Sequence, residues 1–489
     1  MNTPLRRVSI AMLVMVLLLL ANVTYIQMIE ADDYRTNSRN QRVLLDEYSR
    51  QRGRIIAAGN QQILAGTEPI DDKYKYVRTY PGGQVYAPVT GYYSIRYGSG
   101  GLERAMDEVL NGSDPRLFVR RLSDMFTGRD PSGGNVALTI NPAVQQAAFD
   151  GMSKRGYTGA VVALNPKTGE ILGMVSTPSY DPAKLATHNS KELQAAWNAF
   201  DADPKKPMLN RAISETYPPG STFKILTTAA ALEDGMKADA SVQTAANIKL
   251  PGTNADLENF GGQTCKGSTL KDALAYSCNT AFAEIAGNLG KEKMLAMAGK
   301  FGIGMNGLNI PMRVAPSGVG DLDGKPQLYQ SGIGQRDVRL TPLQVALLSA
   351  TVANGGTTMK PQLVKSLLAQ DMSEMEKYTP DELTGDSAMS ASNAAVLRDM
   401  MIASEANTQG GGKKPELKIA SKTGTAEHGN DPKRTPPHAW YTAFAPADDP
   451  QIAIAVLVES GGNRGLAATG GTVAAEIGRA TIAAALGGG

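Results

Sequence analysis

The run from Val8 to Met28 constrains this chain more than any other stretch. Only Ser9, Asn22, Thr24, Tyr25 and Gln27 interrupt its apolar side chains, mostly toward its far end. A helix of roughly 20 apolar residues crosses a bilayer, with its backbone polar groups satisfied internally. The run therefore predicts one membrane-spanning helix. Arg6 and Arg7 precede it, and basic flanks favour the cytoplasmic side. Residues 1–7 are then a cytoplasmic tail, 8–28 a single-pass anchor in the cell membrane, and the rest extracytoplasmic. A cleaved signal peptide is the competing reading, but no small-residue cleavage site follows Ala21.

The remainder is long enough for two folded units with sizeable cores. The chain has 489 residues and 49 basic against 47 acidic side chains. That balance, without an aromatic–basic patch, argues against nucleic acid as a partner. Two cysteines and three scattered histidines predict no metal centre, and no cofactor is implied. Cys265 and Cys278 can pair in an oxidising compartment, although sequence alone leaves that open.

Residues 29–134 read as a small extended stem, polar and rich in Arg, Asp, Tyr and Gly, with a strand-like piece from Tyr74 to Tyr80. Arg52-Gly53-Arg54, Arg78-Thr79-Tyr80-Pro81-Gly82-Gly83 and Gly98-Ser99-Gly100-Gly101-Leu102-Glu103 read singly as turns with solvated arginines. A composition shift at Gly133-Gly134 starts a second domain, 135–489. It opens with a short strand and a helix from Asn141-Pro142. A hairpin follows, Gly159–Leu164 and Glu170–Ser176, joined by Asn165-Pro166-Lys167-Thr168-Gly169. Helices are expected after Ser221, from Ser268 to Tyr276 with Ser268 as N-cap, and over Asn279–Gly287, Glu292–Phe301 and Thr341–Ala353. Another runs from Asn393 to Ser404, capped by Ser392, and a last one from Gly470 to Leu486. Strands at Ala439–Ala445 and Ile452–Glu459 make the end β-rich. The expected class is α/β (α+β), an antiparallel sheet flanked by helices.

The chemistry centres on Tyr217-Pro218-Pro219-Gly220-Ser221-Thr222-Phe223-Lys224. Pro-Pro-Gly cannot continue a helix, whereas Thr222 to Leu232 readily forms one, so Ser221 is placed at a helix start. Free N–H groups there favour developing negative charge. Lys224 follows one turn later. A serine hydroxyl is a weak nucleophile until a base takes its proton, and a neutral lysine is such a base. Ser268-Thr269-Leu270-Lys271 shows the same spacing, so the pattern alone decides nothing. What distinguishes Ser221 is the ordered company of Ser277-Cys278-Asn279 and of Lys422-Thr423-Gly424-Thr425. Lys422 would be the cation that lowers the Lys224 pKa, and Ser277 a proton relay. Asn279 would hold substrate or Lys224. Gly424 would let substrate approach the strand, Thr423 and Thr425 would bind a substrate carboxylate, and the N–H groups of Ser221 and Thr425 would cradle an oxyanion.

This ordered set is shared by class A β-lactamases and penicillin-binding proteins, whose middle motif is Ser-Asp-Asn. With the three stem motifs, the whole chain resembles a class B penicillin-binding protein of the actinobacterial A group. The stretch Lys422 to Trp440, with His428 and His438, looks like that group too. Ala57-Ala58-Gly59-Asn60 departs from the Asp-Arg-Asn-Gly of many class B proteins. The resemblance implies a β-lactamase/transpeptidase-like domain on a pedestal, with Arg52, Arg78 and Glu103 joining the two. It implies a D,D-transpeptidase that cross-links peptidoglycan stem peptides, taking a D-Ala-D-Ala donor and an amine acceptor, and that β-lactams acylate. It also implies a place in cell-wall growth and division, with divisome or elongation proteins as partners. The competing readings are a D,D-carboxypeptidase or β-lactamase, in which water replaces the amine, and a β-lactam sensor or scaffold. The stem and anchor disfavour a free β-lactamase, and the intact serine–lysine set disfavours a scaffold.

Overall fold

The computed structural model describes residues 2–30, 45, 48–60, 62–118, 132–305, 308 and 310–487. Asp32 and Asp33, just past the apolar run, and Ser38-Arg39-Asn40, a second Ser-x-Asn triplet in the sequence, lie outside them. Asn2–Met28 is one helix, and it is the one helix among the described residues long and apolar enough to cross a membrane.

Five antiparallel strands form the central sheet, in the order Ala420–Ala426, His438–Ala445, Ile452–Val458, Gly159–Leu164, Ile171–Thr177. Helices cover both faces, which is why the inner strands are buried throughout. Side chains alternate across a strand. Val161, Ala163 and Tyr441 accordingly pack with Val144 and Ala148 of Pro142–Ser153 and with Ile477 and Ile482 of Ala475–Ala485. Val162, Trp440 and Phe444 face the other core, with Leu226 of Lys224–Glu233 and Val345 and Leu347 of Pro342–Ala353.

The helix starts follow local chemistry, with corrections. Asn141 caps Pro142–Ser153 through Ala143 and Val144, and Thr341 caps Pro342–Ala353. Thr269, not Ser268, caps Leu270–Ala275, because Asp272 closes a reciprocal capping box with it. Ser390, not Ser392, caps Ala391–Asn407. The two helical pieces expected after Asn279 form one element, Asn279–Lys300, interrupted at Gly290, where φ is 83°. The final helix begins only at Ala475, after a wider turn over Gly470–Ala474.

The boundary at 134/135 is not a break between independent bodies. Asn135–Leu138 lies inside a six-stranded sheet, parallel to Ile55–Ile56 of the stem and antiparallel to Val364–Leu368 of the second domain. Arg52, Arg78 and Glu103 also differ from expectation. Glu103 is fully buried and accepts from Arg52 Nε and Arg78 Nε, each at 2.7 Å. Arg78 Nη1 reaches Gly53 O at 2.6 Å, Arg52 pairs with Asp107, and Tyr80 OH donates to Glu103 at 3.2 Å. Every one of these partners lies within the stem. Three buried charges need each other more than they need a neighbouring domain. Burial opposes ionisation of Glu103, yet Arg78 and then Arg52 hold its carboxyl below the usual range.

Candidate active site

Ser221 stands in a tight 3-10 turn, Gly220–Phe223, that leads into the helix Lys224–Glu233. It is thus one turn ahead of the regular helix rather than at its first residue. Three contacts hold the turn. Trp440 Nε1, fully buried, donates to Pro218 O at 2.9 Å; Thr222 Oγ1 donates to Pro219 O at 2.8 Å; Gly220 N donates to Gly334 O at 2.9 Å. Gly220 has φ 53°, and a Cβ there would lie 2.8 Å from Thr425 O. Only glycine takes that backbone shape and that approach without strain.

Lys224 is wholly buried on the first turn of the helix. Its Nζ donates to Ser277 O at 2.7 Å, to Asn279 Oδ1 at 2.8 Å and to Ser277 Oγ at 3.3 Å. Lys422 comes from the edge strand Ala420–Ala426. Its Nζ donates to the same Ser277 Oγ at 2.9 Å and to Thr423 O at 3.0 Å. Among the described residues neither amine has a carboxylate partner. Burial first, and then the charge of Lys422, push the Lys224 amine well below the ordinary lysine range. Burial alone brings Lys422 down to about 7. Both effects favour the uncharged form of Lys224, the form a general base needs.

Ser277 reaches both amines from an unusual backbone, with φ 61°. A non-glycine residue there costs on the order of 1–3 kcal/mol and persists where its surroundings over-determine it. Those surroundings are visible. Ser277 N donates to Leu274 O, and Cys278 is joined to Cys265 by a disulfide, Cα–Cα 5.6 Å. Asn279 is settled by its neighbours: Oδ1 takes Lys224, and Nδ2 donates to Glu258 O at 2.9 Å. It holds the lysine here.

Thr423 and Thr425 lie half-buried on the edge strand, two positions apart and so on one face. Among the described residues neither hydroxyl has a hydrogen-bond partner, which leaves both available. Gly424 differs from expectation. A Cβ there would lie 2.8 Å from Pro219 O and 3.1 Å from Thr222 Cγ2. Its missing side chain makes room for the serine turn, not directly for substrate. No hydrogen bond to Ser221 Oγ forms among the described residues; such catalytic contacts often tighten only with substrate bound.

Sequence reading passed over several contributors. Trp440 anchors the serine turn. Asn259 Oδ1 accepts from Asn279 N at 2.7 Å and Thr280 N at 3.0 Å, capping their helix from a distant loop. No local pattern signals such long-range contacts. His438 is buried and neutral, pushed down to about 3 by burial and then by His428, on which it stacks at 3.7 Å. Its contacts are with Ser460 and Tyr217 rather than with the serine–lysine cluster.

A serine on a braced turn, followed three residues on by a buried lysine of lowered pKa that shares Ser277 with a second buried lysine on a sheet edge, can form and release an ester. Fold and site together define the class of penicillin-binding serine acyl-transferases. Residues 159–483 match the penicillin binding protein transpeptidase domain, and residues 52–136 the penicillin binding protein A dimerisation domain. The chain belongs to the penicillin-binding protein family. It is 56% identical to the peptidoglycan D,D-transpeptidase PbpA of Mycolicibacterium smegmatis over 99% of both chains. Identity is 51%, with the same coverage, to the protein of that name from Mycobacterium tuberculosis. Its structure resembles that of penicillin-binding protein A from M. tuberculosis in a ceftriaxone acyl-enzyme complex. The TM-score is 0.88 at 51% identity, covering 90% of this chain and all of that one.

Proposed function

We propose that this chain is a membrane-anchored peptidoglycan D,D-transpeptidase that β-lactams acylate. The observation that carries the reading is Lys224: an amine wholly buried, held by Ser277 and Asn279, and pushed well below the ordinary lysine range by burial and then by Lys422. Lys224 takes the proton of Ser221 as Oγ attacks the carbonyl of the donor's penultimate D-alanine. The oxyanion is received by the N–H groups of Ser221 and Thr425. Ser277, between the two amines, passes a proton to the departing D-alanine nitrogen, and the C–N bond breaks to leave a Ser221 ester. An acceptor amine attacks that ester, returns a proton through the same route and frees the serine. Thr423 and Thr425 hydroxyls hold the terminal carboxylate, which a β-lactam carboxylate imitates. Similarity to a peptidoglycan D,D-transpeptidase and to a penicillin-binding protein in a β-lactam acyl-enzyme complex supports the reading.

Residues 1–7 form the cytoplasmic tail, 8–28 the anchor, 29–134 the stem and 135–489 the transpeptidase domain. Arg6, Arg7 and the exposed apolar helix Asn2–Met28 support that topology. The stem gives the catalytic domain a platform for division or elongation proteins. Incubating the chain with a D-Ala-D-Ala donor and excess acceptor amine tests the reaction. Cross-linked product is expected; hydrolysis product alone at high acceptor would assign a carboxypeptidase instead.

A further inference from the structure

Lys422 sits on a strand bonded on one side only, since Ala420–Ala426 is the sheet edge. Such a strand can shift at little cost, yet displacements of about 1 Å at a reacting centre can lower a rate about 100-fold. What holds this strand is a carboxylate outside every motif. Glu405, on Ala391–Asn407, accepts through Oε2 from Ser421 Oγ and, at 3.1 Å, from Tyr441 OH. Its Oε1 accepts from Arg479 Nε at 2.7 Å. Ser421 directly precedes Lys422, and Tyr441 stands opposite Thr423 in the neighbouring strand. Arg479, fully buried, also donates to Gly410 O at 3.0 Å and Gly411 O at 2.7 Å, in the segment leading to the edge strand. Ser421 and Lys422 point to opposite faces. The carboxylate therefore grips the strand from the side away from the lysine.

A buried ion pair adds little net stability over apolar packing of the same volume. One retained at the root of the lysine strand calls for another role. We propose that Glu405 is a positioning residue for acyl transfer. By holding Ser421 and Tyr441 it sets the strand's place, and with it the contact of Lys422 with Ser277 and the place of the Thr425 N–H. The inference rests on the acyl-transfer reading above. Among the described residues Glu405 bonds to Ser421, Tyr441 and Arg479 and makes no hydrogen bond to Ser221.

The test measures the rate of Ser221 acylation by a fluorescent penicillin across pH. It uses the full chain in detergent, with Glu405→Gln and Ser421→Ala beside wild type. Ser421→Ala removes only the strand-side contact and leaves the Arg479 pair intact. Both variants are expected to acylate about 10-fold or more slowly per folded molecule. The acid limb of the pH profile should move to higher pH, because a displaced Lys422 depresses the Lys224 pKa less. A merely structural role would lower the folded fraction and leave rate and limb alone. Wild-type rate and limb in folded Ser421→Ala overturn the proposal, and that variant decides alone if Glu405→Gln does not fold. Absence of Ser221 labelling in wild type would instead overturn the acyl-transfer reading itself.

Discussion

Lys224 and Lys422 bring their amines to one hydroxyl, Ser277 Oγ, at 3.3 and 2.9 Å. Two amines sharing one oxygen in a site without a paired carboxylate cannot both be charged cheaply. Replacing Lys422 by Met removes the neighbouring cation, so the Lys224 pKa climbs. The acid limb of the penicillin acylation profile is expected to move to higher pH, and the rate at pH 7 to fall. A limb that stays in place would contradict the coupling.

The same lysines tie stability to pH. Lys422 is at about 7 when folded, against about 10.4 when unfolded. Between those values the unfolded chain binds protons that the folded chain does not, so stability rises with pH through that window. Urea midpoints measured from pH 7 to 10 should rise for wild type and rise less for Lys422→Met.

Gly424→Ala tests why the strand lacks a side chain there. The new Cβ would meet Pro219 O at 2.8 Å and push the serine turn. The expected result is acylation about 10–100-fold slower, arising in the bond-forming step rather than in penicillin binding. A variant with weaker binding and an unchanged acylation step would restore the view that Gly424 only clears space for substrate.

The site was more legible than its scaffolding. Ser221, Lys224, Ser277, Asn279 and Lys422 could be read because their chemistry demands particular residue types in a fixed order; the structure joins the last four by hydrogen bonds and sets Ser221 in the turn that leads into Lys224. The central strands were legible from unbroken apolar runs such as Ile452–Val458. Glu405, Asn259 and Trp440 were not, because each acts on residues far away in sequence. The shared six-stranded sheet was missed for the same reason: Asn135–Leu138 reads as a domain start, and only Val364–Leu368, more than two hundred residues on, reveals it as a junction. Thr269 displaced Ser268 as a cap because Asp272 stands where its carboxylate can answer.

The stem's buried charges make a stability prediction. Glu103→Gln leaves Arg52 and Arg78 buried against a neutral partner. Removing one side of such a network costs about 3–5 kcal/mol, read from denaturant unfolding. A loss below about 1 kcal/mol, the scale of a surface pair, would contradict the buried arrangement.

Cys265 and Cys278 make another. In the non-reduced protein, denatured in the presence of an alkylating reagent, no thiol should be modified. Cys278→Ser should cost about 2–4 kcal/mol and slow acylation, since Ser277 is the neighbouring residue. Two alkylated thiols in the native chain would refute the bridge.

The central claim is that Ser221 is the residue acylated. Peptide mass analysis of the full chain after reaction with penicillin tests it most directly. One adduct is expected on the peptide containing Ser221, and none in Ser221→Ala. An adduct that survives in Ser221→Ala, or that maps to Ser268, would contradict the account.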